Sequence, residues 1–211
     1  MQKYHSISRL IPQAVAYLVM LLGTMVMMGW LVKNQAIIQI NDNFVPMQFN
    51  TALCFLLSGV GLWAINEKQT HIAKVVCASV FVIAFATALQ YVLDVDLYID
   101  QILMEHYIDL NTSSPGRMAP NTAICFLIVS SVLFISDRVR KSPNFLYFYS
   151  VATAIALALS LVAIVGYLNG VESSYGWSRY TQMAMHTSLG FVFICVGLGT
   201  LAVVKWRSLI S

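Results

Sequence analysis

Six stretches, about residues 13–31, 50–66, 72–93, 121–136, 145–169 and 186–206, are nearly continuous runs of apolar side chains separated by polar breaks. Neither a one-sided helical stripe nor a two-residue alternation organises them, and most approach the ~20 apolar residues a helix needs to cross a bilayer. The pattern predicts six transmembrane helices, which use most of the 211 residues and leave no sizeable soluble domain. The first stretch is too long for the apolar core of a secretory leader and lacks a clean small-residue cleavage site, so it is expected to stay in the mature protein.

The polar residues interrupting this pattern recur. P-M-Q-F-N-T-A-L-C-F runs over 46–55, R-M-A-P-N-T-A-I-C-F over 117–126 and Q-M-A-M-H-T-S-L-G-F over 182–191, aligned without gaps. Met47, Met118 and Met183 correspond, as do Asn50, Asn121 and His186, then Thr51, Thr122 and Thr187, then Phe55, Phe126 and Phe191. Each motif stands where a loop becomes an even-numbered helix, and each preceding helix ends in an aromatic: Trp30, Tyr91 and Tyr167. A unit of helix, loop, motif and helix therefore repeats over about residues 10–70, 71–141 and 142–207. The expectation is an all-α membrane protein, one transmembrane domain whose six helices form three repeated hairpins around a pseudo-threefold axis. In the long middle loop, Leu97, Ile99, Ile102, Leu103 and Tyr107 interleave with Asp96, Asp100, Glu105 and Asp109, which predicts a short helix on the membrane surface. N-T-S-S-P-G at 111–116 then predicts a turn.

Composition agrees with a membrane solvent, with 59% hydrophobic and 10% charged residues. Charge adds orientation. Lys3, Arg9, Lys68, Lys74, Arg138, Arg140, Lys141, Lys205 and Arg207 fall on one side, opposed by Glu67 and Asp137. The other side carries Lys33, Arg117 and Arg179 against Asp42, Asp94, Asp96, Asp100, Glu105, Asp109 and Glu172. The positive-inside rule places both termini in the cytoplasm, and the net charge of +3 then reports topology, not nucleic-acid binding. The acids of the outer side read as a solvated face. Cys54, Cys77, Cys125 and Cys195 lie inside apolar stretches without C-x-x-C spacing, which points to core packing.

The motif has two readings. In one, Asn and Thr satisfy unpaired N–H groups of a helix start, and small residues such as Ala52, Ala123, Ser188, Gly59, Gly61 and Gly190 let helices pack closely. In the other, three motifs converge on a mostly apolar pocket near the outer face. Its lining would be Asn50, Thr51, Asn121, Thr122, His186 and Thr187 with Met47, Met118, Met183 and Met185, walled by Trp30, Tyr91 and Tyr167, with Arg117 and Arg179 beside its mouth. Helix N-termini there would favour an electron-rich ligand group. His186 breaks the symmetry of the three copies. As an alternative it could bind copper with Met47 and Met118, soft ligands suited to Cu(I), or serve a haem with an unusual second ligand. No H-E-x-x-H, G-x-S-x-G, phosphate loop or intramembrane carboxylate pair marks an enzyme. A small transporter or channel is a second alternative, disfavoured by the lack of intramembrane charge.

P-G-R-M-A-P-N-T-A-I-C-F, V-G-Y-L-N-G and Y-G-W-S-R-Y-T-Q-M-A-M-H-T-S-L-G-F resemble the N-terminal six-helix membrane sensor region of bacterial multidomain histidine kinases and diguanylate cyclases. The resemblance is motif-level and spans nearly the whole chain. It implies a sensory input module in the bacterial inner membrane, a small-molecule ligand, a homodimer, and a cytoplasmic output domain reached through the L-A-V-V-K-W-R-S-L-I-S ending.

Overall fold

In an apolar run every backbone N–H and C=O must be satisfied within the run, and only a helix does this alone. In the computed structural model, which describes residues 2–41, 44–108, 114–136, 143–177 and 180–210, the runs are helices and no strand occurs among the described residues. They are α1 (Gln2–Leu31), the short α2 (Gln35–Gln39), α3 (Phe49–Asn66), α4 (Thr70–Leu93), α5 (Pro120–Phe134), α6 (Pro143–Asn169) and α7 (Met185–Ile210). Five segments are long and apolar enough to cross a membrane: Leu10–Leu31, Phe49–Asn66, Thr70–Leu93, Pro143–Asn169 and Met185–Arg207.

The predicted crossing at 121–136 is corrected in length. α5 has 15 residues and ends at Phe134, spanning ~22 Å against a hydrocarbon core of ~30 Å. Pro120 starts it, its fixed φ suiting the first helical position. The middle loop also departs from expectation, because its described part, 95–108, consists of bends and turns, not a surface helix. Its apolar residues divide between Ile108, which enters the core, and Tyr98 and Ile102, which stay exposed. The unforeseen short helix, α2, lies instead in the first loop. The turn predicted at 111–116 is present over its described part, with Gly116 at φ +77° and the Arg117 N–H donating to Ser114 O at 3.2 Å. Asp42, Asp109, Asp137, Arg138, Arg140, Lys141 and Arg179 lie outside the described residues, as do the side chains of Lys3 and Arg9.

α1 packs on α3, α4 on α5 and α6 on α7, and the ring closes through α3–α4, α5–α6 and α1–α7. α3, α5 and α7 also touch one another, while α1, α4 and α6 make no mutual contact among the described residues. The inner position explains burial: α3 and α7 are buried over 56% and 50% of their most apolar windows, α4 over 28%. Outward-facing Leu21, Met25, Val75, Val82, Phe148 and Val162 remain exposed, as side chains facing lipid would. At the centre, the rings of Phe55, Phe126 and Phe191 meet pairwise at 4.9, 4.9 and 4.6 Å, edge-on or tilted. Such pairs contribute ~1 kcal/mol each beyond burial.

Close approach needs small residues where lipid supplies no hydrophobic force to press helices together. A Cβ on Gly23 would lie 2.5 Å from the Ala52 carbonyl oxygen, and one on Gly59 would lie 2.9 Å from that of Ala16. These two glycines let α1 and α3 meet nearly backbone to backbone. Their contact holds the end of α1, and hence Trp30, beside the first motif.

Candidate functional site

The three motifs lie at one end of the bundle, where each begins as an extended lead-in and turns into an inner helix. Gln48 and Ala119, which precede α3 and α5, share one conformation at φ −67°, ψ 152° and φ −61°, ψ 150°. The lead-in exposes the carbonyl of the preceding methionine, and an aromatic at the end of the partner helix donates to it. Trp30 Nε1–H reaches Met47 O at 2.8 Å, Tyr91 O–H reaches Met118 O at 2.9 Å, and Tyr167 O–H reaches Met183 O at 2.8 Å. The methionine side chains themselves are fully buried.

A second set of contacts joins each motif to the loop of the next hairpin. Asn50 Nδ2 donates to Ile99 O at 3.1 Å and Asp100 O at 3.2 Å, in the middle loop. Asn121 Nδ2 donates to Tyr175 O at 3.1 Å, in the last loop. His186 continues the rotation toward the Ile38 backbone, in the first loop, but neither of its buried ring nitrogens meets that backbone, or any other group, with normal hydrogen-bond geometry. Aromatics follow the same order, with Trp30 edge-on to Tyr107 at 5.0 Å, Tyr91 to Tyr180 at 5.0 Å and Tyr167 to Phe44 at 5.0 Å. Every loop is thus clasped by the hairpin before it.

Of the residues expected to line a shared pocket, Asn50, Thr51, Asn121, Thr122, His186, Thr187, Met47, Met118, Met183 and Trp30 are buried, and Met185, Tyr91 and Tyr167 are partly so. The geometry brings them into one layer but commits the asparagine amides and the three aromatic donors to backbone carbonyls. The Phe55–Phe126–Phe191 cluster fills the middle of the bundle beside that layer. Copper and haem would have to use His186. Among the described residues no group of three or more His, Cys, Asp or Glu is placed to hold a metal ion, and all four cysteines are free and buried.

Two expectations about charge are corrected. Arg117 is not a free charge at a mouth but is 8% exposed, with Nε donating to Asp100 Oδ2 at 2.7 Å and Nη2 to Asp96 Oδ1 at 3.3 Å. Nor is Asp100 part of a solvated face; it is 7% exposed and also accepts from Gln90 Nε2 at 3.1 Å. Gln90 Oε1 in turn accepts from the Leu97 N–H at 2.8 Å and from Arg117 Nη2 at 3.3 Å, and the guanidinium lies 5.5 Å from the centre of the Tyr91 ring. Gly116 makes this approach possible, since a Cβ there would fall 3.0 Å from Asp100 O. Sequence reasoning passed over Gln90 and placed Asp100 on the solvated face. The available indication was a glutamine one residue before the repeated aromatic in α4, where the first and third hairpins have Gly29 and Gly166.

His106 is a further, half-buried histidine of this layer, packed against Trp30 at 5.5 Å, and burial lowers its pKa from the ordinary 6.5, with the Ile108 backbone acting the other way to a smaller extent. No family model, no curated protein and no solved structure matches the chain.

Proposed function

We propose that the chain is the membrane-embedded sensory input module of a bacterial signalling protein. Six crossings form three copies of one hairpin around a pseudo-threefold axis in the inner membrane, α5 included, with both termini cytoplasmic. A small ligand binds near the outer face, and α7 carries the change to a cytoplasmic kinase or cyclase in a homodimer. Support for the repeat comes from the three equivalent aromatic-to-carbonyl bonds and the central phenylalanine triad. The division of charge supports the orientation.

One observation carries the functional reading: of the three clasps, the one at the head of α7 is not closed by a hydrogen bond of normal geometry, its imidazole only facing the Ile38 backbone. A buried imidazole with so poorly placed a partner costs free energy that a ligand, or a shift in packing, can recover. Because α7 runs unbroken from Met185 to Ile210, a change at His186 is passed to the opposite end of the bundle. Ligand contact narrows to the third motif, His186 with Thr187 and Met185, since the amides of Asn50 and Asn121 are occupied.

Fusing the chain to a cyclase output domain tests this. An asparagine at position 186 supplies the amide that the other two clasps use, and one added hydrogen bond of ~1 kcal/mol biases a two-state packing about fivefold. His186→Asn is therefore expected to shift basal cyclase output about that much, and His186→Ala to leave the clasp open. Equal output from wild type, H186N and H186A overturns the proposal, as does a Soret band in the purified protein that H186A abolishes.

A further inference from the structure

Between α4 and the turn at Gly116, the middle loop turns its hydrogen-bonding groups inward and several apolar side chains outward. Asp100 is buried against Arg117 and Gln90, and the carbonyls of Ile99 and Asp100 accept from the Asn50 amide. Tyr98 and Ile102, by contrast, are 80% and 71% exposed, and Leu97 and Leu103 are exposed beside them. The backbone is bent to produce this. Tyr98 has φ +57°, a left-handed conformation that costs a bulky residue energy, and its N–H is held by Asp96 Oδ1 at 2.8 Å. A contiguous apolar patch with acids among it marks a surface that something other than water covers.

The patch continues a surface of α4 that faces lipid. α4 is apolar and long enough to cross a membrane, and its outward side chains stay exposed to its very end, at Phe85, Val92 and Leu93. Its 24 residues span ~36 Å against ~30 Å of hydrocarbon, so its last turn reaches headgroup depth, and the loop leaves from there. We infer that residues 95–103 lie in the bilayer interface on the motif side, with Tyr98, Ile102 and Leu103 set into lipid. A tyrosine suits that depth, with its ring at the acyl boundary and its hydroxyl among headgroups. Because Asp94 and Glu105 are exposed, the hold is apolar contact and not attraction to anionic headgroups. The same loop carries Asp100 and takes up the Asn50 amide, so lipid packing in that leaflet bears directly on the motif layer. The inference needs only that α4 crosses the bilayer and is independent of the sensory proposal.

A nitrobenzoxadiazole label on Ile102→Cys, and separately on Tyr98→Cys, tests it in the full chain reconstituted into phosphatidylethanolamine–phosphatidylglycerol vesicles. Both positions are exposed, so the fold should tolerate the label, and wild type, whose four cysteines are buried, supplies the blank. At both positions the emission should lie to the blue of its value in water. A nitroxide high on the lipid acyl chain should quench it several times more strongly than aqueous iodide does. Iodide access at either position overturns the inference and leaves an aqueous face open to a soluble partner. A label shielded from iodide yet untouched by the nitroxide lipid also overturns it, because protein then covers the patch; if dilution with excess lipid restores iodide quenching, that protein is a second copy of the chain.

Discussion

Arg117, Asp100 and Gln90 behave as one unit at the residue scale. Each is at most 8% exposed, and the guanidinium, the carboxylate and the amide hold one another by bonds of 2.7–3.3 Å. Removing one member of a buried ion pair strands the other, which typically costs ~3–5 kcal/mol, whereas replacing both with apolar groups of similar size is often nearly neutral. Arg117→Met and Asp100→Leu should therefore each lower stability by about 3 kcal/mol, and the double variant by clearly less than the sum. The buried free thiols of Cys54, Cys77, Cys125 and Cys195 supply the readout, since a thiol-reactive dye reports their exposure on heating. Much of this layer was visible in the sequence as positions but not as atoms. Met47, Met118 and Met183 stood out, yet what the structure uses of them is the backbone carbonyl, to which side-chain identity is blind.

At the scale of elements, the contact of α1 with α3 rests on the absence of side chains. Gly23 and Gly59 each meet the backbone of the other helix, and a residue with a larger side chain must push the pair apart. Gly59→Leu is expected to destabilise the protein by about 2 kcal/mol or more, in the range of overpacked sites, and to separate Trp30 from Met47 O. The check is the Trp30 fluorescence maximum, measured in a background where Trp63, Trp177 and Trp206 are phenylalanine: a red shift is expected, and an unshifted spectrum with unchanged melting would refute the packing argument. Gly59 and Ala52 on α3 were legible beforehand as small residues, while Gly23 on α1 was not singled out. Which pairs meet was not, because several glycine and alanine positions on each apolar helix offer equivalent faces.

For the whole molecule, the loops form a layer docked by cyclic exchange, and His106 makes one dock sensitive to pH. Burial lowers its pKa below 6.5, so the folded protein binds a proton there less readily than the unfolded chain. Above pH 6.5 both states are neutral and the docked loop keeps its full stability. As the pH falls from about 6.5 through the lower folded value, that contribution is lost. The middle loop should therefore loosen in mild acid, seen as faster amide exchange over residues 95–108, and His106→Gln should remove most of that dependence. A pH-independent exchange rate in wild type would count against the docking.

Apolar runs, a recurring motif and a one-sided distribution of lysine and arginine are properties of the chain itself, and they sufficed to predict a helical protein with membrane-spanning segments and to single out His186 as the copy that differs. Lipid enforces that legibility, because a run of apolar residues in hydrocarbon has little choice but to be a helix. Tertiary structure alone decided that Asn50 and Asn121 reach the loop of the neighbouring hairpin, that Asp100 and Arg117 are paired inside instead of solvated, and that three phenylalanines meet between the inner helices. Those outcomes depend on backbone carbonyls and on loops far apart in sequence, such as Asn121 and Tyr175, which no local pattern encodes. Only once the hairpins are packed does the difference between two asparagines and one histidine become a difference between two closed clasps and one open one.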